Sequence, residues 1–574
     1  MPYGYFDDDQ KEYVITRPDT PLPWINYLGT SDFYAIISNT AGGYCFYQDS
    51  RMRRLTRYRY NNIPMDGNGR YLYIKDGDTV WNPMWKPMRV SLDKYECRHG
   101  LGYTKITGQK NDLEVSTLFF IPLDSRHEVW QVRLTNHSKS AKSIRLWSFV
   151  EWCLWEAYDD MTNFQRNYST GQVEIENGAI FHITEYRERR NHYAYFASTE
   201  PVTGFDSSRD AFVGVHQGLE APQAVMHGSC RNSTAYGWLP IGVQQIDVVL
   251  KPGESRSMNF LLGYGENPPD KKFLPNGKIR KDEYESVRAR FATEADVQQS
   301  FNTFKAYWND LLSSYQATTP DPIVNRMANI WNQYQCMVTF NLSRSTSLYE
   351  SGIGRGMGYR DSNQDILGFV HILPARARQR ILDLAATQLS DGTCYHQYQP
   401  LTKKGNADIG GGFNDDPLWL ILSVTSYIKE TGDDSILGEK CGYADVPDSA
   451  ATLLDHLHLS LSYTLNHRGP HGLPLIGHAD WNDCLNLNCF SSTPGESFQL
   501  AGHIENDKVA ESVMIAGLFC KACDEMASLL RHSDKPEEAN EYLKSGEKMK
   551  KTIYEHGWDG EWFLRAYDSY GKKL

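Results

Sequence analysis

Apolar and polar positions alternate along much of the first half of the chain. Trp130, Val132 and Leu134 interleave with Gln131, Arg133 and Thr135, the period of a strand with one buried face. Leu113 to Pro122 predicts another strand. Ile246 to Leu250 and Met258 to Tyr264 flank Lys251-Pro252-Gly253-Glu254, which predicts a hairpin or meander with turn residues between its arms. Turn signals recur, as in Asp66-Gly67-Asn68-Gly69 and Asp76-Gly77-Asp78. Many short strands over this length predict a large antiparallel sandwich.

A polar stretch rich in Pro, Lys and Asp, Asn267 to Glu285, closes that half, and a helical period follows. Ile323, Met327, Trp331, Tyr334 and Val338 fall close to one helical face. Pro417 to Lys429, Ala450 to Tyr463 and Val509 to Leu530 predict further helices, with Asp416-Pro417 as an N-terminal start. Long loops rich in Gly, Asn and Asp separate them, and such loops on a rigid scaffold are where chemistry concentrates. Helix pairs joined in this way predict an α/α barrel, which periodicity alone does not separate from a bundle.

Composition narrows the function. The 574 residues exceed one core and predict three or four domains. A net charge of -12 argues against nucleic acid and anionic membranes as partners. Eleven cysteines, an odd and scattered set, fit buried free thiols in a reducing compartment. The start has no basic region followed by an apolar stretch, and no run of 18 apolar residues occurs. The expectation is a soluble cytoplasmic protein. The aromatic share of 13% is high. It fits an aromatic β core and, equally, flat faces for the apolar sides of sugar rings.

Three segments carry candidate chemistry. Gly352 to Asp365 places Arg355, Arg360, Asp361 and Asp365 among glycines, so fork-shaped donors and carboxylates can meet vicinal hydroxyls or form an ion-paired turn. Its glycines lack the strand–helix setting of a dinucleotide fingerprint. Gly477 to Asn486 holds Asp480 and Asp483 with Trp481 between them. A carboxyl desolvated by an indole can serve as a general acid, while one Asp of such a pair commonly caps a turn. His396-Gln397-Tyr398-Gln399-Pro400 and Asn414-Asp415-Asp416 suit either a sugar site or structural roles. Cys520-x-x-Cys523 lies in an apolar helix without a second pair and reads as core.

At these residues the sequence resembles glycoside hydrolase family 94 along essentially its whole length. The stretches include Pro23 to Gly29, Arg57 to Pro64, Arg98 to Tyr103, Trp331 to Met337, Arg355 to Asp365 and Ala479 to Asn488. The resemblance implies a β-sandwich over residues 1–270, a helical linker over 271–315 and an (α/α)6 barrel over 316–574, incomplete in this chain. It implies Asp483 as general acid and Trp481 as sugar-stacking ring. Arg355, Arg360 and Asp361 are implied as holders of the non-reducing sugar, and Gln165 and Arg166 as part of a loop that helps close the site in a homodimer.

The implied reaction is inverting phosphorolysis of cellobiose to α-D-glucose 1-phosphate and D-glucose. Phosphate is the co-substrate, and neither metal nor organic cofactor is implied. Chitobiose or cellodextrin phosphorolysis, glucoside hydrolysis, and non-catalytic carbohydrate binding are the competing expectations. Family chains continue past the point matching Leu574, so the resemblance places the main phosphate-binding residues beyond this sequence and implies truncation.

Overall fold

The computed structural model describes residues 2–574 except 59–66, 163–170, 187, 190, 238, 344, 349–352, 354–355, 406, 408–410, 484 and 486–508. The chain forms two compact units. One is Met1–Ser313 with Thr319–Arg326 and Thr346–Gly354; the other is Ser314–Thr318, Met327–Ser345 and Arg355–Leu574.

Two antiparallel sheets build the first unit. One runs Gly4–Asp7, Glu12–Ile15, Lys94–Gly100, Tyr103–Lys110, Leu113–Phe120, His127–Asn136, Ser255–Glu266, His192–Ser198, Ala179–Tyr186, Gly171–Glu176. The second centres on Lys142–Trp155, which pairs with Pro240–Leu250, Tyr71–Asp76 and Arg54–Thr56. The alternation around Trp130 is realised: Trp130, Val132 and Leu134 are buried, Gln131 and Thr135 are half-buried and Arg133 is exposed. These residues join Phe119 and Phe260 of their own sheet and Leu146, Val150 and Trp152 of the other in one apolar core.

The expected hairpin at Lys251 to Glu254 is not formed. Its arms enter different sheets, Pro240–Leu250 beside Lys142–Trp155 and Ser255–Glu266 beside His127–Asn136. Turn residues specify a reversal of the chain, not the partner of each arm. Here Ile246, Val248 and Leu250 from one arm, and Met258, Phe260 and Leu262 from the other, all join the core between the sheets. The connection is therefore a corner of the sandwich.

A buried ion pair sits within this unit. Arg70 and Glu128 are 1% and 0% exposed. Arg70 Nη2 donates to Glu128 Oε2 at 2.8 Å, Trp130 Nε1 donates to Glu128 Oε1 at 2.5 Å, and Arg70 Nη1 donates to the Ile36 carbonyl at 3.1 Å. The helix Glu294–Leu312 belongs to the same unit. Its start is fixed by a reciprocal Thr293–Asp296 capping box, and Phe301 and Phe304 pack edge-on or tilted against Phe120.

The second unit is helical: Asn332–Leu342, Tyr359–Leu367, Pro374–Ala385, Asp416–Thr431, Leu453–Asn466, Val513–His532 and Pro536–His556. The predicted helices around 417–429, 450–463 and 509–530 appear with ends shifted by a few residues. The face expected from Ile323 to Val338 does not persist. A π-turn at Met327–Trp331 interrupts the α-helical period; beyond it Gln333, Tyr334, Met337 and Phe340 are buried, while Ile323, which belongs to the first unit, is exposed. Cys520 and Cys523 are buried free thiols, as expected of core positions. Among the described residues no helix is long and apolar enough to cross a membrane.

Replacing Arg70 with Met should destabilise the sandwich by about 3–5 kcal/mol, because Glu128 stays buried without its cation. Denaturant unfolding of the variant and the parent measures this; a change under 1 kcal/mol would show that Trp130 alone satisfies Glu128.

Candidate active site

The site forms where three stretches of the second unit converge. The first begins at Gly356, whose backbone N–H donates to Gln397 Oε1 at 2.6 Å. A side chain here is excluded, since a Cβ would lie 2.3 Å from the Tyr398 carbonyl oxygen. Met357–Gly358 pairs with Gln397–Tyr398, and the Tyr359 N–H donates to the His396 carbonyl at 2.8 Å. This ladder launches the helix Tyr359–Leu367 and points Arg360 inward, 4% exposed.

The second stretch leads into the helix Asp416–Thr431. Asn414 is held by Tyr463, whose hydroxyl donates to its Oδ1 at 2.9 Å, and it donates in turn to the Leu475 carbonyl at 2.9 Å. The third stretch runs from Gly477, which bridges to Phe413 and has φ +70. A Cβ at Gly477 would meet the Gly412 carbonyl oxygen at 2.1 Å, so glycine is required both by the left-handed backbone and by the close approach.

Arg360 ties the three together. Its Nη1 donates to Asp415 Oδ1 at 3.2 Å and to the Asp480 carbonyl at 2.7 Å, and its Nη2 donates to Asp483 Oδ1. The guanidinium also lies over the Phe413 ring, 5.3 Å from its centroid. Phe413 itself is stacked between His396 and His478, with centroids 3.9 and 4.8 Å away. His396 Nδ1 contacts Asp416 Oδ2 at 2.9 Å. Burial works to lower the proton affinity of His396, but the charge of Asp416 and this hydrogen bond outweigh it and hold it above the usual histidine value.

The two aspartates around Trp481 have separate fates. Asp480 is fully buried. Arg565 grips both its oxygens, Ser512 Oγ donates to Oδ2 at 2.6 Å, and the Asn482 N–H donates to Oδ1 at 3.1 Å. Burial works to raise its carboxyl, yet the Arg565 and Ser512 hydrogen bonds outweigh it and keep it below the ordinary carboxylate range. Asp480 is thus the turn-capping member of the pair. The Asp483 side chain, by contrast, is 50% exposed.

The indole does not enclose Asp483 in the way its sequence neighbourhood leads one to expect. Trp481 is 57% exposed and its Nε1 donates to Gln364 Oε1 at 3.3 Å. Residues two apart in a loop need not share a surface, and here the guanidinium of Arg360 is what Asp483 meets. Asp361 is half-buried in the first turn of the helix that carries Arg360. Arg355, Gln165 and Arg166 lie outside the described residues.

Asp415 belongs to the site although its sequence neighbourhood left its role open. Its side chain is fully buried, and Trp419 Nε1 donates to Oδ2 at 3.0 Å. Burial, reinforced by the adjacent Asp416, pushes its carboxyl up to about 7, with Arg360 opposing. The available signal was Asp415-Asp416-Pro417 at a helix start, where paired acids are ordinary. Arg565 carried no signal, lying 85 residues from Asp480.

This arrangement offers an exposed carboxyl, an aromatic face and a buried guanidinium anchored from behind. A supersandwich-domain model of the glycosyl hydrolase 94 family matches residues 11–294, and the family's catalytic-domain model matches residues 307–574. The N,N'-diacetylchitobiose phosphorylase of Vibrio furnissii is 31% identical, across 100% of this chain and 71% of that protein. The solabiose phosphorylase of Paenibacillus borealis is 28% identical, across 100% of this chain and 69% of that protein. A crystal structure of a bacterial glucoamylase complexed with acarbose shares the fold, with a TM-score of 0.56 and 11% identity over 96% of this chain and 73% of that one. The chain belongs to the glycosyl hydrolase 94 family, and within it to the glycosyltransferase-type disaccharide phosphorylases. Its architecture is an N-terminal supersandwich followed by a helical catalytic domain of the (α/α)6 class.

Asp415 binds its proton more readily in the folded chain than in the unfolded one. Its contribution to stability is therefore full below about pH 4 and is lost as pH rises through about 7. Asp415→Asn should flatten this fall. Denaturant titrations at pH 5 and pH 7 should show the parent losing more stability across the interval than the variant; parallel losses would contradict the assignment.

Proposed function

We propose that the protein catalyses inverting phosphorolysis of cellobiose, with Asp483 as the proton donor. The observation that carries this reading is the division between Asp480, locked by Arg565 and Ser512, and Asp483, half exposed beside Arg360 and Trp481. Asp483 protonates the interglycosidic oxygen while a phosphate oxygen attacks the anomeric carbon from the opposite face. The bond from that carbon to the glycosidic oxygen breaks as the new bond to phosphate forms, giving α-D-glucose 1-phosphate and D-glucose. This is the inverting hydrolase scheme with phosphate in place of activated water. Phosphate is already anionic at neutral pH, so no second carboxylate is required as base.

In this reading Trp481 stacks on a sugar ring, and Arg355, Arg360 and Asp361 hold the non-reducing sugar. Gln165 and Arg166 contribute to closing the site in a homodimer. The enzyme acts in the cytoplasm, which the free cysteines among the described residues support, and uses no metal or organic cofactor. A second reading, phosphorolysis of N,N'-diacetylchitobiose, is favoured by the 31% identity to the Vibrio furnissii enzyme over the whole chain.

Incubating each disaccharide with and without phosphate decides between them. Phosphate-dependent release of glucose 1-phosphate from cellobiose supports the first reading; turnover restricted to the N-acetylated substrate supports the second. Release of free sugar without phosphate would mean hydrolysis. Asp483→Asn should lower phosphorolysis roughly 10²-fold or more with little effect on folding. A near-normal rate in that variant would remove Asp483 from the donor role.

Asp361→Ala should weaken transition-state binding by about 2–4 kcal/mol if its carboxylate accepts hydrogen bonds from sugar hydroxyls. The ratio of kcat/KM between parent and variant measures this, and an unchanged ratio would return Asp361 to a purely structural role.

A further inference from the structure

Asp415 takes no part in the scheme above, yet it shares a guanidinium with the donor. Charged and polar groups meet it from several elements. Asp416 and Trp419 face it from its own helix, Arg360 comes from the helix Tyr359–Leu367, and Asp480 lies on the loop opposite. Cys394 lies within its field, and Tyr359 within that of Asp416. His396 is engaged by Asp416, His478 lies across Phe413, and Arg565 is committed to Asp480. Four carboxyl groups, those of Asp415, Asp416, Asp480 and Asp483, thus crowd two guanidiniums. Arg360 is divided: Nη1 serves Asp415 and the Asp480 carbonyl, and Nη2 serves Asp483.

We propose that Asp415 is a positioning residue that competes with Asp483 for Arg360 and thereby sets how firmly the donor's carboxylate is held. This rests on reading Asp483 as the donor. When Asp415 is ionised it draws on Arg360 and opposes a second negative charge at Asp483, so the proton needed for catalysis stays there. When Asp415 is neutral, Arg360 is left to the ionised form of Asp483, which has no proton to give. Burial, which pushes Asp415 up to about 7, brings its change of charge into the neutral range. An incoming phosphate adds negative charge, which acts in the same direction as ionised Asp415.

The test is the pH profile of kcat/KM for phosphate-dependent glycosyl phosphate release, from whichever of the two disaccharides the parent cleaves. It compares the parent, Asp415→Asn and Trp419→Phe at one phosphate concentration. The titration of phosphate is common to all three and cancels in the comparison. Asp415→Asn should move the basic limb to lower pH by about one unit, with about tenfold lower activity on that side and near-parent activity on the acid side. Trp419→Phe removes a hydrogen bond that favours ionised Asp415, so its limb should move the same way by less. A uniform loss at every pH, with the limbs of both variants unmoved, overturns the proposal and leaves Asp415 a structural residue. If Asp415→Asn fails to fold by circular dichroism, the limb of Trp419→Phe decides alone. Parent protein without phosphate-dependent turnover would sink the donor reading and this proposal together, whereas normal parent turnover with unmoved limbs sinks only the proposal.

Discussion

A guanidinium taken out of water has to be met by carboxylates and carbonyls, and at Arg360 that requirement draws three stretches of chain to one point. Arg360 is buried, and burial alone works against its charge; Asp415, with Asp416 and Asp483, outweighs that cost. The surroundings of Arg360 other than Asp483 are held in turn by further residues. Asp415 is held by Trp419, the Asp480 segment by Arg565 and Ser512, and Phe413 under the guanidinium by two stacked imidazoles. The charge is therefore preorganised, the condition under which electrostatics in an active site is most effective.

The same physics is used differently in the sandwich. Arg70 with Glu128, and Arg57 with Glu151 and Asp160, are ion pairs between buried side chains, and Glu151 also meets the partly exposed Arg209 at 3.6 Å. They leave no carboxyl exposed to a ligand. In the helical unit the set around Arg360 stays open on one side, because Asp483 reaches half into solvent. A half-exposed carboxyl keeps part of its hydration, so its pairing with a guanidinium is worth less than that of a carboxyl closed off from water.

The loop from Gly477 to Asp483 shows how backbone constraint and chemistry are coupled. Gly477 lets the chain pass against Gly412, and the His478 N–H donates to the Gly412 carbonyl at 2.9 Å. Asp480 then turns the chain by accepting from Asn482. These contacts fix the direction in which Asp483 leaves the core.

Much of the architecture was legible in the sequence. The alternation around Trp130, the helical period after residue 320 and the start at Asp416-Pro417 are local properties, and local sterics and burial dictate them. The matching segments along the chain carried the family. What the sequence could not decide depended on distant partners. The Lys251 to Glu254 turn reads the same whether its arms pair or part, and only the core between the sheets separates them. The shifted face after Met327 needed the π-turn. Trp481 and Asp483 are neighbours in sequence, yet the residue that meets Asp483 is Arg360, 123 positions away. Likewise Asp480 became structural through Arg565, and Asp415 entered the site through Arg360. The sequence determined which carboxyls, arginines and rings were available; tertiary structure decided which carboxyl is buried and locked and which stays half exposed beside Arg360, because charge and desolvation depend on neighbours in space.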